Sequence, residues 1–517
     1  MNKGGDRLDG TTLIVLSAFV AYLLLMIVIG IIYMKTTSST EDYFLGGRSL
    51  NGWVAALSAQ ASDMSGWLLM GLPGAIYSLG TGQAWIAIGL FIGTVCNWIF
   101  ISGRLRKYTI AANNSLTIPA FFENRFGDKK RILLLISSIV IVIFFLVYTA
   151  SALAAGGKLF NSVFGINYHL ALAIGAGVIL VYTFMGGFMA VCVTDFVQGS
   201  LMLVGLLAVP IVAYFLMPGS LVDLLDQSQV AGGAGKYLDL FYSGGKPYTP
   251  IEIFSQLAWG LGYCGMPHIL TRFMAIRDEK ELKKSRCIAI VWVILSLGAA
   301  CIIGVLGRAY LYPVLLGENG TSAENVFVEM IQKVFMSDLS LPFIGGLFLC
   351  GILAAIMSTA DSQLLVTASA VSEDLYHNFI KTDADNKKVM NVSRITVIVV
   401  AVLAFAIAWD PDNSIMDLVS NAWAGLGSAF GPVVLLSLFW RRTNLPGAVA
   451  GIVSGGLTVI IWDYIPLVSG ETLGNSTGLY SLAVGFVISI LCIVIFSLAT
   501  KKPSEEILKT FDQVAGK

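Results

Sequence analysis

Charge is what this chain has least of. Only 12% of its 517 residues are Asp, Glu, Lys or Arg, about half the roughly 25% of a soluble globular chain. Hydrophobic residues make up 56% and mean hydropathy is +0.80, so the composition belongs to a protein of the lipid bilayer. The 32 basic and 32 acidic residues cancel, which leaves no net positive field to attract nucleic acid. Histidine is nearly absent: His169, His268 and His377 lie far apart. The seven cysteines (Cys96, Cys192, Cys264, Cys287, Cys301, Cys350 and Cys492) fall singly in apolar segments. They have neither metal-ligand spacing nor a disulfide framework and read as small buried hydrophobes. No nucleophile–base or metal-ligand constellation suggests a membrane enzyme. No pore motif suggests a channel, and the tail after Thr500 is too short for a sensor's signalling domain. No obligatory protein partner is indicated. The first apolar run, Thr12–Tyr33, exceeds a secretory h-region and no small-residue cleavage site follows it, so it reads as a retained span.

What the chain does have is long apolar runs. They lie at about 11–34, 52–79, 83–103, 132–157, 168–189, 194–216, 251–274, 286–311, 342–371, 393–409, 415–440, 446–464 and 479–499. These thirteen runs predict an all-α polytopic membrane protein with its termini on opposite sides. With the N-terminus outside, the inner loops hold 24 of the 32 basic residues, among them Lys35, Arg48, Arg104, Lys129, Arg277, Lys388, Arg441 and Lys517. Arg272, at the inner end of its span, would be one more. The outer side holds only Lys3, Arg7, Lys158, Lys236, Lys246, Arg308 and Lys333. That asymmetry follows the positive-inside rule, with the C-terminus in. The longest outer loops are 217–249 and 313–341; the second carries an amphipathic stretch, Ala323 to Val334, expected to form a short helix over the outer face.

Two groups of five spans, 51–216 and 250–440, read as an inverted repeat. They are preceded by an extra helix at 1–34 and followed by two helices and a short tail at 445–517. The lead span of each group is interrupted. In the first, Ser62-Asp63-Met64-Ser65-Gly66 breaks an apolar stretch; in the second, Trp259-Gly260-Leu261-Gly262-Tyr263-Cys264-Gly265-Met266-Pro267 does so. Matching breaks in two halves point to a transporter's midplane site, although glycine also serves close helix packing. Asp63 would lie far from either water surface, where a carboxylate costs roughly 2.5–3.5 kcal/mol unless it meets an ion, a cavity or a partner.

Sodium is a hard cation that takes oxygen ligands. Ser358 and Thr359 in the ninth span offer two hydroxyls about one turn from the carbonyl of Ala355, and unwound backbone at Ala61 and Met64 would add carbonyls. An isolated Ser-Thr pair more often bonds back to its own helix; beside a broken helix bearing a buried acid, ion coordination is the better reading. Asp195, opening the sixth span, reads equally as a helix N-terminal acid or as lining of an ion path. Asp361 is expected to face the bundle interior. Trp259 and Tyr263, four residues apart, would share one helix face and wall an apolar pocket with polar tips, near Trp67 and Tyr148. Pro267 frees a carbonyl by withholding an N–H. Such a pocket suits a small apolar solute with a charged end; a sugar would call for more Asn, Gln, Asp and Glu.

These segments carry a resemblance. Tyr43-Phe44-Leu45-Gly46-Gly47-Arg48-Ser49-Leu50, the run from Ala61 to Gly74, Trp259–Tyr263 continuing to Pro267-His268-Ile269-Leu270, Met357-Ser358-Thr359 and Ala422-Trp423-Ala424-Gly425 together resemble the sodium/solute symporter family over nearly the whole chain. The Ser62-to-Gly74 run is similar to that family's proline carriers. The resemblance implies thirteen helices with the leucine-transporter-like 5+5 inverted repeat in a bacterial cell membrane. It also implies sodium-coupled uptake of L-proline, or of another small amino acid or carboxylated solute. On it, sodium binds through the carbonyls of Ala61, Met64 and Ala355 and the hydroxyls of Ser358 and Thr359. Trp67, Tyr148, Trp259, Tyr263 and Pro267 fall at substrate contacts, Asp63 at a position tied to sodium dependence, and Arg48 and Asp195 at positions linked to coupling and the inner ion path. Asp361 departs from the pattern, standing where proline carriers are uncharged, which leaves open an altered ion site or coupling step.

Overall fold

The computed structural model describes residues 10–34, 39–185, 187–317, 322–466 and 470–516. Lys3, Arg7, Lys35 and Lys517, part of the charge asymmetry, lie outside the described residues. Helix α1 is Gly10–Met34. The next run of apolar sequence is split into α2 (Gly52–Asp63) and α3 (Leu72–Leu79), joined through Met64–Gly66 and a π-helical turn at Trp67–Gly71. A second π-turn joins α4 (Ala84–Cys96) to α5 (Ser102–Ala111). Then come the short α6 (Ile118–Phe126), α7 (Ile132–Phe164), α8 (Tyr168–Met185) and α9 (Phe188–Leu216). A second split run follows, α10 (Pro250–Leu257) and α11 (Pro267–Ala275), with a 3₁₀ segment over Ala258–Gly265. The longer helices that follow are α12 (Glu279–Tyr310), α13 (Pro342–Ser369), α14 (Asn386–Ile407), α15 (Ile415–Phe439), α16 (Leu445–Tyr464), α17 (Ser481–Ala499) and α18 (Glu505–Ala515). The β structure among the described residues amounts to one hairpin, Tyr242–Ser243 with Lys246–Pro247, and two isolated bridges.

Among the described residues, ten helices are long and apolar enough to cross a membrane. The other three expected spans are the two split runs and the shorter apolar helix Tyr168–Val181. In the split runs the break interrupts the continuous helix, and it is the feature of interest. Burial shows what is central. An 18-residue stretch of α15 is 83% buried and one of the Pro342–Ile380 helix 78%, against 33% for α1 and α14. The outer helices turn Leu24, Ile32, Val402 and Ile495 outward, as lipid-facing surfaces do.

The basic loops gather at one end. Arg48 donates to the carbonyls of Met274 (2.7 Å) and Ser115 (2.9 Å), Arg106 to that of Ile276 (2.5 Å), Arg131 to that of Asn378 and Arg442 to that of Thr500 (2.7 Å). At the opposite end Lys158 meets Glu324 (2.7 Å) and the carbonyl of Asn413 (2.8 Å). The stretch from Ala323 is helical there: a 3₁₀ turn (Ala323–Asn325), an α-turn (Val326–Ile331) and a π-turn (Gln332–Asp338). Its apolar face, including Phe327, Val328 and Met330, is buried against the bundle.

Candidate ion and solute site

The first break is built by a helix that starts well and cannot continue. Asn51 caps α2, accepting from the N–H groups of Trp53 and Val54. At Met64 the backbone leaves helical geometry (φ −84°, ψ 73°), so the last-turn carbonyls lose their intrahelical partners at the negative end of the helix dipole. Side chains of α13 find them. The Ser358 hydroxyl donates to the Ala61 carbonyl at 2.8 Å and lies 3.2 Å from that of Ala355, while the Thr359 hydroxyl is 3.4 Å from Ala61. Ala61, Met64, Ala355, Ser358 and Thr359 are all fully buried. Ala61 is itself still helical, so its carbonyl is offered by the helix end rather than by unwound chain; Met64 is where the chain unwinds. A hydroxyl that donates to Ala61 can rotate its proton away and turn its lone pairs to a cation.

Asp63 joins the two breaks. Its Oδ2 accepts from the Tyr263 hydroxyl at 2.6 Å, its Oδ1 has no partner among the described residues, and its carbonyl accepts from Trp67 Nε1 at 3.1 Å. The second break packs tightly. A Cβ on Gly262 would sit 2.0 Å from Trp423 Nε1, and one on Gly260 would sit 2.2 Å from the Gly89 carbonyl. Both glycines therefore serve close helix approach as well as unwinding. Trp423 Nε1 donates to the Trp259 carbonyl at 2.8 Å.

The expectation that Trp259 and Tyr263 share a face fails, because the segment is 3₁₀. With about three residues per turn, positions four apart diverge by roughly 120°. Tyr263 turns inward to Asp63 and meets Trp423 edge-on (5.2 Å, 86°). Trp259 stacks on Tyr480 (5.1 Å, 21°). Both of the latter line a vestibule of about 490 Å³ together with Gln83, Asn421, Asp417 and Asp463. Tyr148 is buried and edge-on to His268 (6.2 Å, 89°), Trp67 is buried, and Pro267 opens α11.

Asp195 lies well inside α9, which begins at Phe188, and is fully buried. The reading of it as a helix N-terminal acid near the surface is therefore wrong. Its partner is Arg272, placed by the sequence at an inner end but carried by α11 into the core, where it is also fully buried. Arg272 Nη2 lies 3.2 Å from Asp195 Oδ2 and 2.6 Å from Ser362 Oγ; its Nε lies 3.1 Å from Ser58 Oγ. Ser58 and Ser62 both donate to Asp195 Oδ2 (2.6 and 3.1 Å), and Ser62 also meets Ser362 at 2.9 Å. Asp361 adjoins this cluster: its Oδ1 accepts from Ser362 at 3.3 Å and its Oδ2 has no partner among the described residues. Arg272 thus pairs directly with Asp195 and reaches Asp361 only through the Ser362 hydroxyl. Arg48 is not part of the cluster and binds carbonyls at the basic end instead.

The sequence reading missed Arg272, Ser58, Ser62, Ser362, Trp423 and Tyr480 as site residues. For Arg272 the signal was present, a charge inside an apolar run. For Ser362 it was helical spacing from Ser358.

Residues 43–455 match the sodium:solute symporter family. The sodium/proline symporter of Escherichia coli K12 is 44% identical over 500 residues, covering 96% of this chain and 95% of that protein. A high-affinity proline transporter of Bacillus subtilis is 45% identical over 487 residues, 94% of this chain and 98% of that one. An osmoregulated proline transporter of the same organism is 44% identical over 490 residues, 95% and 96%. Among solved structures, a substrate-bound, outward-open sodium-coupled sialic acid symporter superposes with a TM-score of 0.77 at 20% identity, over 95% of this chain and 98% of that one. MhsT in complex with L-phenylalanine gives 0.52 at 14% identity, over 87% and 98%. The fold these structures share with the chain is the leucine-transporter-like one.

Proposed function

The chain belongs to the sodium:solute symporter family, and from that premise we propose that it carries proline into the cell with sodium by alternating access. It is a multi-pass membrane protein and a secondary active transporter, in which sodium is cotransported cargo rather than a resident cofactor. The proline carriers among its relatives are similar over almost their full length, which supports proline over other small solutes.

The observation that carries the mechanism is the meeting of a broken helix end with two hydroxyls, Ser358 and Thr359 on Ala61. In our reading the carbonyls of Ala61, Met64 and Ala355 and these hydroxyls hold sodium. Trp67, Tyr148, Trp259, Tyr263 and Pro267 surround proline, which reaches them through the vestibule past Trp259. Asp63 is the nearby charge, restrained by Tyr263. Asp195, held by Arg272, and Asp361, joined to the same cluster through Ser362, line the ion's way inward, and Arg48 ties the loops at that end. Because α2 and α13 both supply oxygens, sodium favours the arrangement that holds them together. Any gain it gives proline is returned equally by proline to sodium.

The same reading gives thirteen crossings, with an extra N-terminal helix in the segment 1–34, inverted five-helix repeats over 51–216 and 250–440, and two C-terminal helices with a short cytoplasmic tail over 445–517. The N-terminus is outside and the basic end faces the cytoplasm. Support comes from the two breaks opening corresponding segments and from the clustering of basic loops at one end. The deciding experiment is labelled-proline uptake into proteoliposomes with and without an inward sodium gradient. Gradient-driven accumulation is expected; equal uptake in both conditions refutes symport.

A further inference from the structure

At the basic end a cavity of about 760 Å³ opens between α6, the start of α16 and the segment leading into α18. It lies apart from the transport site. Its walls are one-sided in charge: Arg125, Lys129, Lys501 and Lys502 face a single carboxylate, Glu506, the only acid lining it among the described residues. Lys501 and Lys502 stand two and three residues beyond the end of α17, where a spanning helix emerges at the lipid headgroups.

Arg125 is the unusual member. It is 1% exposed; its Nε donates to the Ser437 carbonyl at 3.0 Å, but Nη1 and Nη2 have no acceptor among the described residues. The rings of Tyr108, Phe126 and Phe511 lie 5.1, 5.0 and 5.2 Å from the guanidinium carbon and attract its charge. They leave its paired N–H groups without an in-plane oxygen. Burial lowers its pKa to about 10, so it is charged at neutral pH. A guanidinium with two free nitrogens is half of the fork that binds phosphate. Water could satisfy those nitrogens, but water would not balance four cations against one acid.

We propose that this cavity binds a phosphate-bearing anion, supplied either as soluble phosphate or as the headgroup of an anionic phospholipid. Arg125 is the bidentate donor, and Lys129, Lys501 and Lys502 complete the charge. One consequence concerns the tail. Helix α18 is already docked by buried Phe511 and by the paired Arg441–Asp512 contacts, both 2.8 Å. An anion bridging Arg125 and Lys129 to Lys501 and Lys502 fastens that tail to α6.

The test uses the full-length protein in nanodiscs. In discs of zwitterionic lipid, inorganic phosphate is titrated at fixed ionic strength while the melting temperature is followed. In a second arm, discs containing phosphatidylglycerol are compared with discs lacking it, and retained lipid is counted by native mass spectrometry. A saturable stabilisation in the first arm identifies soluble phosphate; retained anionic lipid in the second identifies a headgroup. In either case Lys129→Gln with Lys501→Gln and Lys502→Gln weakens binding by roughly tenfold. Arg125→Lys, which keeps the charge and removes the fork, weakens it selectively. Should Arg125→Lys not fold, the triple lysine variant, which changes exposed side chains, decides alone. If neither probe binds the wild type more tightly than the triple variant, the cavity holds water only and the proposal is wrong.

Discussion

Ser358 stands 297 residues from Ala61 in the chain, and its hydroxyl donates to the Ala61 carbonyl across 2.8 Å. The contact exists because α2 stops at Asp63, leaving that carbonyl without its helical N–H, and because α13 runs unbroken beside it. A continuous α2 would close the carbonyl within its own ladder and leave Ser358 to bond back to Ala355.

In the proposed site, Ser358 and Thr359 supply two of the sodium ligands. A contact to a charged group is worth about 1.5–3 kcal/mol, so Ser358→Ala and Thr359→Ala should each raise the sodium concentration for half-maximal uptake by ten- to a hundredfold. Uptake of labelled proline across a sodium series measures this. An unchanged sodium requirement would remove both residues from the site.

Among the described residues, Tyr263 supplies the one hydrogen bond to the Asp63 carboxylate. Tyr263→Phe leaves a buried carboxylate unpaired at a cost of about 1–3 kcal/mol. The melting temperature of the purified protein should therefore fall without sodium and recover in saturating sodium. A variant as stable as wild type in sodium-free buffer would show that Asp63 is held some other way.

Arg272 balances Asp195, with Asp361 as a second acid beside it. Breaking a buried pair costs about 3–5 kcal/mol, so Arg272→Met alone should yield little folded protein, and adding Asp195→Asn should restore part of it. Asp361→Asn in the wild-type background should leave stability unchanged or higher, since it removes the surplus carboxylate. A sharp loss on Asp361→Asn would mean that this carboxylate is matched by a cation.

Lys158 and Glu324 form a strap at the far end, with side chains 11% and 13% exposed. Glu324 Oε1 also accepts from the N–H of Ile415 at 2.9 Å, so the strap holds α7, the Ala323–Asn325 turn and the start of α15 together. Lys158→Met should loosen it by about 1 kcal/mol, raising the open population several-fold. Thiol labelling of Ala75→Cys in the vestibule should then speed up by a similar factor; an unaltered rate would argue against a gating role.

Asp63 and Arg272 show how far local sequence reaches. Both are charges inside apolar runs, and both breaks are legible from Gly, Pro and Ser in those runs. Asp63 stood out because its neighbours are helix breakers, whereas Arg272 sits near a span end, where an arginine ordinarily reaches the headgroups. Only the packing of α11 against α2, α9 and α13 turns it inward. Trp259 and Tyr263 show the opposite failure: their spacing was read with an α-helical period, and the backbone between them is 3₁₀.

The sequence by itself determined that this is a helical membrane protein with two interrupted spans, a buried acid and a hydroxyl pair. Hydropathy, breaking residues and basic-residue asymmetry are local properties, and lipid enforces them segment by segment. The tertiary structure alone decided which oxygens meet and which charge faces which. Ala61 finds Ser358, Asp63 finds Tyr263 and Asp195 finds Arg272 because helices 77 to 297 residues apart in the chain pack side by side. Those partnerships depend on close approach between whole helices, which no local pattern encodes.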